Sequence, residues 1–423
     1  MAVGPATYAD HIAGGLVREL WPEAKLIEEI INEDPILGAA TKETDWNDSK
    51  RHFPLGWGGS QAVTRNFATT KRFKSRAKAQ EFVVETREMF QALSLEGKLL
   101  RSAQFGGRKA KAHLVEPVSR EAERAIEAMR RRFCRSVHGN GVGVIGQIAV
   151  GSDLTTNTVL LTEPNDLKNF PIDTPLHAES TGLTGGTIFD GEAVVTAQGT
   201  EDNPTVTIDQ PWQDAFPGIA VGDHLYVATT YDDDFLYGFD AFNPLHTGAP
   251  GSFLGANRNL HPQWLAGYCL DAPNLTFYQA IKRGARVLHD NGGKPDVALM
   301  STRMYEVFEF ENAGKLKTEK VPAAKVGSYE LGVSYDAIIV QGPRGPIKTM
   351  ASPWMPDGII RVGQLSTIVI GSIGPLVHWD SGNGPGDLRT EDATDNRELR
   401  AVSDPAFVNK APGRWIRIRT AMV

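Results

Sequence analysis

A stripe of apolar residues at helical spacing predicts the longest helix of this sequence. The segment "EPVSREAERAIEAMRRRFCRSVHGNG", residues 116–141, has apolar residues at successive steps of four, four, three, four and four. They are Val118, Ala122, Ile126, Met129, Phe133 and Val137. This spacing keeps them on one face of an α-helix, with Pro117 suited to the first turn and Gly139 to the C-terminal stop. At ~1.5 Å per residue the helix would be about 30 Å long, enough to brace a whole domain.

A second constraint comes from residues 49–80, which contain no Asp or Glu although the chain has 51 acidic residues against 44 Lys and Arg. Aromatic and β-branched residues surround the turn signal "GWGG" in this segment, which predicts a long two-stranded ribbon. They are Phe53, Trp57, Val63, Phe67 and Phe73. A lone two-stranded ribbon is marginally stable in water. It must therefore lie on another surface, either of this chain or of another.

The basic residues of the ribbon suggest what that surface is. Arginines and lysines alternate with phenylalanines, which is compatible with single-stranded nucleic acid or with an acidic protein surface. The formal net charge of the chain is -7, so other copies of the same chain would supply acidic surface and docking is the favoured interpretation. The candidate docking residues are Arg51, Trp57, Arg65, Phe67, Lys71, Arg72 and Lys74.

The rest of the chain separates into helical and β-rich stretches. "AKLIEEIINEDP" predicts an amphipathic helix before the ribbon, and residues 151–230 read as short antiparallel strands separated by turn residues. "NLTFYQAIKRGARVLHDNGG" predicts a helix, and "KPDVALMSTRMYEVFEF" a strand followed by a helix that Ser301 caps. The last third is β-rich. The predicted class is α+β, because helices and strands are segregated rather than alternating in βαβ units.

Sequence signals for catalysis, metals and cofactors are weak. "GVGVIG" at residues 141–146 follows a helix, whereas a dinucleotide site needs it between a strand and a helix, so a turn is the favoured interpretation. The aspartates in "YDDDFLYGFD" and "WDSGNGPGD" suit a hard cation or solvated loops, without the alternating calcium-loop pattern. Two distant cysteines predict neither a disulfide framework nor a zinc site. We expect no catalytic residue, no metal, no cofactor and no membrane-spanning or secretory segment.

The order of these parts resembles the major capsid protein of tailed bacteriophages, with its Hong Kong 97-type fold. The resemblance assigns an N-terminal arm (1–48), an extended loop (49–85), a peripheral domain with a long spine helix (86–150), a β-rich insertion (151–230), an axial domain with its approach (231–365) and a return to the peripheral domain (366–423). It is carried by "HGNGVG" after the spine helix, by "FYQAIKRGARVLHDNGGKPDVALMSTRMYEVFEF" for the axial domain, by "GANRNLHPQWLAG" for its approach, and by "GPIKTMASPWMPDGIIRVGQLSTIVIG" for the return.

The resemblance implies a structural protein rather than an enzyme. It implies a homo-oligomer of hexamers and pentamers that forms an icosahedral head shell around double-stranded DNA, without sequence-specific binding. Scaffolding, portal and, where present, decoration proteins would be its partners. The protein would be assembled in the bacterial cytoplasm and reside in the virion. Because only about 48 residues precede the ribbon, we expect a separate scaffolding protein or unaided assembly rather than a cleaved scaffolding domain.

Two alternatives remain at this stage. An encapsulin-type compartment has the same fold and packs a cargo enzyme, although the β-rich insertion fits a virus better. A β-rich hydrolase or carbohydrate-binding protein would need a pocket with paired carboxylates, and the sequence has none at a recognisable spacing.

Overall fold

The computed structural model describes residues 18, 22–46, 49–57, 65–72, 78–95, 107–181, 186–227, 236–246, 250–312, 318–321, 324–326, 329–331, 335–380, 389–390 and 397–421. For residues 69–70, 72, 95, 107–118, 318–321, 324–326, 329–331, 335–337, 389–390 and 397 it describes the backbone alone. The α-helices of these ranges are α1 Glu23–Glu33, α2 Pro35–Ala39, α3 Phe67–Arg72, α4 Gly107–His138, α5 Trp212–Ala215, α6 Phe239–Phe242, α7 Pro262–Leu265, α8 Phe277–Asp290 and α9 Thr302–Asn312.

The strands fall into three consecutive regions. The first contains β1 Thr41–Glu43, β2 Lys50–Trp57, β3 Lys78–Glu85 and β4 Met89–Leu95. The second contains β5 Gly146–Gln147, β6 Thr158–Leu160, β7 Pro175–Glu179, β8 Ala193–Thr200, β9 Asn203–Ile208 and β10 His224–Val227. The third contains β11 Ser252–Phe253, β12 Ala256–Asn257, β13 Tyr268–Asp271, β14 Val297–Ser301, β15 Thr318–Val321, β16 Ala324–Val326, β17 Tyr329–Leu331, β18 Tyr335–Gly342, β19 Gly345–Ser352, β20 Ile359–Gly363, β21 Ile368–Ser372, β22 His378–Trp379, β23 Arg389–Thr390, β24 Arg397–Ser403, β25 Pro405–Asn409 and β26 Trp415–Arg419.

The long helix α4 confirms the apolar stripe but not its predicted start. Its backbone begins at Gly107, so Pro117 lies inside the helix and the expectation that this proline occupies the first turn is wrong. An internal proline removes one backbone hydrogen bond and costs ~3 kcal/mol, which the remaining turns offset. The stripe residues whose side chains are described are all buried: Ala122, Ile126, Met129, Phe133 and Val137. The helix ends at His138, directly before the predicted stop at Gly139.

The turn after α4 explains the glycines of "GVGVIG". Gly141 and Gly143 have φ angles of 93° and 87°, in the left-handed region that glycine adopts without a steric penalty. The segment is a turn between the helix and β5, as the sequence favoured.

The N-terminal helix α1 lies against α4. Its buried residues Leu26, Ile30 and Ile31 belong to the same apolar cluster as the α4 stripe, which confirms the predicted amphipathic helix. Arg130 of α4 forms ion pairs with Glu29 and Glu33 of α1, at 3.3 and 3.5 Å. Apolar contact and charge therefore fix α1 along the long helix.

A mixed sheet with the order β13–β26–β20–β14–β19–β18–β15 forms a second centre of the fold. Its strand residues alternate between two cores: Val297 and Leu299 face the core that contains the α4 stripe, whereas Ala298 and Met300 face a core that contains α8 and α9. Local signals start both helices. Thr276 and Gln279 form a capping box at α8, and Oγ of Ser301 accepts a hydrogen bond of 3.2 Å from N of Met304 at α9.

Residues 145–227 form a separate β-module with the strand order β5–β10–β7–β8–β9–β6. It has its own core, which includes Phe170, Val195, Val206, Trp212 and Phe216. Because neighbouring strands are antiparallel and short, the module matches the turn-rich pattern of the sequence.

The C-terminal strands return to the N-terminal ones. β21 pairs with β1 in parallel and with β25 antiparallel, while β24 pairs antiparallel with β4. The helical and β-rich parts are segregated, so the predicted α+β class is confirmed. No helix in the described ranges is both long enough and apolar enough to cross a lipid bilayer.

Candidate inter-subunit surface

A two-stranded ribbon is present, formed by β2 and β3, but its second strand begins only at Lys78, so Phe67, which the sequence placed in the ribbon, lies in the short helix α3 between the strands. Lys50 lies opposite Glu85 at one end and Trp57 opposite Lys78 at the other. The side chains alternate between the two faces of the ribbon, and one face is buried. The buried residues of this face are Phe53, Leu55, Trp57, Phe82 and Val84.

The buried face of the ribbon packs on the same chain. The ring of Phe82 meets Phe242 and Phe253 edge to face, with centroids 5.6 and 5.7 Å apart, and Trp57 lies 6.5 Å from His261. N of Val83 donates a hydrogen bond of 2.9 Å to O of Leu254. Aromatic pairs of this geometry are stabilising beyond the area that they bury. The described strands of the ribbon thus form a base that is fixed to the body of its own chain.

Arg51, at the start of the ribbon, has partners within the chain. Its Nη1 lies 2.6 Å from Oε2 of Glu43, and its guanidinium carbon lies 5.5 Å from the ring centroid of Trp46. Burial would raise the pKa of the Glu43 carboxyl, but the hydrogen bond from Lys410 and the charges of Lys410 and Arg51 lower it below its ordinary value. Arg51 and the 7% exposed Trp57 are therefore engaged in intramolecular contacts.

The far end of the ribbon is different. Arg65, Phe67 and Lys71 are exposed, and the Phe67 side chain reaches 80% exposure. Oδ1 of Asn66 accepts a hydrogen bond of 2.9 Å from N of Ala68, at the start of the short helix α3. The structure thus separates five of the seven candidates into an intramolecular pair, Arg51 and Trp57, and an exposed group of three. Arg72 is described only by its backbone, and Lys74 lies outside the described residues.

Sequence reasoning missed a buried polar group that joins three distant segments. Nε2 of His138 lies 2.8 Å from Oδ2 of Asp34 and 3.2 Å from Oγ of Ser352, and that hydroxyl also donates to Asp34. The three residues are at most 2% exposed. Burial would raise the pKa of the Asp34 carboxyl, but His138 and the hydrogen bonds from Ser352 and Ile36 lower it. The separations of 104 and 214 residues leave no local motif to find.

These three residues do not have the geometry of a nucleophilic triad. In a triad the aspartate binds Nδ1 of the histidine and the serine binds Nε2, with the serine open to substrate. Here Asp34 and Ser352 share Nε2, and Ser352 is fully buried. The group instead ties the segment after α1, the end of α4 and the end of β19 together.

A cavity of about 280 Å³ lies where the β-module meets the body, and we call it the seam cavity. Residues 163–168 line one side, Arg135 and His138 at the end of α4 another, and residues 354–357 a third. Nδ2 of Asn165 donates a hydrogen bond of 2.8 Å to O of Met355 across the seam. The cavity therefore has charged walls and separates two bodies that have their own cores.

Burial shifts the ionisation of the seam cavity. It raises the pKa of Glu163 to about 7, with a contribution from the neighbouring carboxylates, and the pKa of Asp166 to about 6. It lowers the pKa of Lys168 to about 8 and that of Arg135 to about 10. The cavity wall thus carries the carboxylates of Glu163 and Asp166, which the sequence did not reveal. The described residues contain no group of three or more His, Cys, Asp or Glu arranged to hold a metal ion.

No protein-family model matches the chain, and no curated protein matches it in sequence. In structure it is similar to a chain of the capsid asymmetric unit of cyanophage A-1(L), with 11% identity and a TM-score of 0.48 over 92% of this chain and 93% of that one. A chain from the capsid of the native GTA particle is 8% identical, with a TM-score of 0.40 over 91% and 89%. A chain of the holo-SrpI encapsulin complex from Synechococcus elongatus is 7% identical, with a TM-score of 0.40 over 92% and 88%.

Chains of a cyanophage capsid, of a GTA particle and of an encapsulin are thus among the structural neighbours.

Proposed function

We propose that this chain is the major capsid protein of a tailed bacteriophage, a structural subunit that assembles with copies of itself into an icosahedral head shell. The observation that carries the proposal is the division of the ribbon. Its base packs on its own chain, while Arg65, Phe67 and Lys71 are exposed near its far end. An exposed phenylalanine between basic residues suits docking on acidic surface of a neighbouring copy, with apolar contact added to charge complementarity.

The other parts have roles consistent with a shell subunit. We assign α4 as the spine helix of a peripheral domain, the sheet with α8 and α9 as an axial domain, and residues 145–227 as an insertion. The strands that return to β1 and β4 close the peripheral domain. Hexamers and pentamers, a scaffolding protein and a portal complete the proposed assembly, which takes place in the bacterial cytoplasm before the shell becomes part of the virion.

The contents of the shell distinguish a phage head from an encapsulin-type compartment. For a head that packages double-stranded DNA and later releases it, we propose an inner surface that holds phosphates weakly, because a basic lining would retain DNA through counterion release. Assembled protein should therefore bind duplex DNA weakly at ~150 mM salt, where charges are screened beyond roughly 8 Å. Nanomolar affinity would favour a nucleic-acid-binding protein, and a co-purified enzyme in the lumen would favour the compartment.

Electron microscopy of the expressed full chain tests the proposal directly. We expect closed particles of uniform size, or rings of subunits, in negative stain and a sedimentation coefficient far above that of a monomer. A protein that remains monomeric at its highest attainable concentration, with and without crowding agents, would contradict the proposed function.

A further inference from the structure

One face of α8 presents only basic side chains at its centre. Lys282 and Arg283 are exposed on one turn of the helix, and Arg286 is exposed on the next. No carboxylate of the described residues lies within 4.0 Å of any of the three, although Nζ of Lys282 lies 4.9 Å from the ring centroid of Tyr278. We call these three residues the basic face.

The neighbouring helix α9 presents the opposite charge. Glu306, Glu309 and Glu311 are exposed, and no basic nitrogen of the described residues is in ion-pair distance of them. Phe310 lies among them and is 75% exposed. These four residues surround the last two turns of the helix, and we call them the acidic face.

Both faces belong to the same side of the same sheet. Ile281 of α8 and Met304 and Phe308 of α9 share one buried core with the sheet residues Ala298 and Met300. Their exposed surfaces therefore point away from the sheet on its α8–α9 side. One subunit thus carries a matched pair of unpartnered, oppositely charged surfaces on a single domain.

The chemistry of the acidic face favours a partner rich in arginine. A guanidinium pairs with carboxylates through several hydrogen bonds and also stacks on an aromatic ring, so glutamates around an exposed phenylalanine suit it particularly well. The basic face supplies two arginines and a lysine. A nucleic acid is a poorer partner for the basic face, since the acidic face on the same side of the sheet repels phosphates.

We propose that the acidic face of one subunit binds the basic face of the next copy of this chain. Because both faces point from the same side of the sheet, two copies related by a two-fold axis can make this contact twice, with each acidic face on the basic face of the other copy. The inference rests on the proposed function and adds to it a face-to-face contact between two subunits of the shell. It is separate from the contact proposed for the ribbon.

Charge exchange tests this contact. The first variant combines Lys282→Glu, Arg283→Glu and Arg286→Glu, and the second combines Glu306→Lys, Glu309→Lys and Glu311→Lys. Each should raise the protein concentration needed for half-maximal assembly by about tenfold or more, because several pairs act together in every subunit. The variant with all six changes should assemble within about threefold of the original protein, since both charges are exchanged and attraction is restored.

A control matched to the second variant makes the same change in net charge elsewhere. Asp190→Lys, Glu192→Lys and Asp202→Lys alter three exposed acids of the β-module and should leave assembly nearly unchanged. Normal assembly of both charge-reversed variants, or no recovery in the sixfold variant, would overturn the proposed contact while leaving the shell function intact. Failure of the unaltered protein to assemble at all would remove the shell function and the contact together.

If a variant does not fold, cross-linking of the unaltered protein tests the contact between the two faces instead. A carbodiimide joins a lysine amine to a glutamate carboxylate that it touches. In particles assembled from a mixture of isotopically light and heavy subunits, we expect a peptide that links Lys282 of one isotope to Glu306, Glu309 or Glu311 of the other. Cross-links from these glutamates only to other lysines would overturn the proposal.

Discussion

His138, the last residue of the long helix α4, is hydrogen-bonded to Asp34. Asp34 lies 104 residues earlier in the chain and caps helix α2, which begins at the next residue. Their Nε2 and Oδ2 atoms are 2.8 Å apart, and both side chains are at most 2% exposed. Oδ1 of Asp34 accepts a further hydrogen bond of 2.9 Å from N of Ile36. One carboxylate thus connects the N-terminal segment to the end of the helix on which that segment lies.

Removal of this carboxylate should be costly. Asp34→Ala leaves the buried His138 and Ser352 without their shared acceptor, and we expect a loss of about 3–5 kcal/mol in the free energy of unfolding. Urea denaturation of the unassembled subunit measures it. The control is Asp45→Ala, at an exposed position of the same segment. A similar small effect of the two substitutions would contradict the structural role of Asp34.

Acid should weaken the same connection. The pKa of Asp34 is below its ordinary value of 3.8 in the folded chain. Its contribution to stability is therefore present above that ordinary value and is lost as the pH falls through the lowered one. The difference in stability between the original protein and Asp34→Ala should shrink below about pH 4. A difference that stays constant down to acid unfolding would exclude this linkage.

A charge placed in the apolar stripe of α4 should prevent folding. Phe133 is 0% exposed, so Phe133→Asp places a charge in an apolar interior and should cost several kcal/mol, enough to abolish soluble subunit. Arg124→Asp, on the exposed side of the same helix, should change stability little. The yield of soluble protein and its circular dichroism distinguish the two variants. Normal particles from Phe133→Asp would show that the stripe does not support the core.

Local signals were readable from the sequence and long-range polar contacts were not. The predicted cap Ser301 acts within three residues of itself, and the stripe of α4 repeats at a helical period. The association of Ser352 with His138 spans 214 residues, and nothing in the sequence around either residue reports it.

The contacts of the two ends of the ribbon were likewise not predictable from the local sequence. The alternation of Phe53, Leu55 and Trp57 indicates one apolar face, but not whether that face meets this chain or another. The structure answers that question for the base, where Trp57 contacts His261. The exposed position of Phe67 depends on the path of the chain after the base, which propensity does not determine.

The seam cavity predicts a pH dependence in the neutral range. The carboxyl pKa values of Glu163 and Asp166 are raised to about 7 and about 6 from ordinary values of 4.5 and 3.8. A raised carboxyl pKa contributes stability at low pH that is lost as the pH rises through the raised value. The attachment of the β-module should therefore loosen as the pH rises from about 4 to about 7. We expect the melting midpoint to fall by a few degrees, given ~2–4 °C per kcal/mol for domains of roughly 150–250 residues.

The double variant Glu163→Gln, Asp166→Asn replaces both ionisable carboxyl groups with uncharged amides. It should flatten the dependence of the midpoint on pH, whereas Asp190→Asn at an exposed position should not. His224 has the opposite effect on the melting midpoint. Burial lowers its pKa below 6.5, so its contribution to stability decreases as the pH falls. Lys168 titrates only near pH 8. A midpoint that rises from about pH 4 to about pH 7 would contradict the raised carboxyl values.

The exposed end of the ribbon gives the most direct prediction about assembly. Each exposed ion pair contributes only ~0–1 kcal/mol, so reversal of any single basic residue should be tolerated. Reversal of Arg65, Lys71 and Lys74 to Glu together should leave a folded, soluble subunit that fails to form stable shells, because the loss recurs in every subunit. The control, with the exposed Lys25, Lys294 and Arg344 reversed to Glu, carries the same charge change at other sites and should still assemble.

Limited trypsin digestion before and after assembly measures whether this region becomes ordered by a neighbour. Ribbons with few intramolecular contacts are sensitive to proteases, and contact with a neighbouring copy should protect them. We therefore expect cleavage after Arg65 and Lys71 in free subunits and protection in shells. Salt should reverse part of the protection by screening the basic residues, while Phe67→Ser should reduce it even at low salt, since apolar burial is not screened. Equal cleavage in both states, or normal shells from the triple reversal, would mean that the ribbon does not dock on a neighbouring copy.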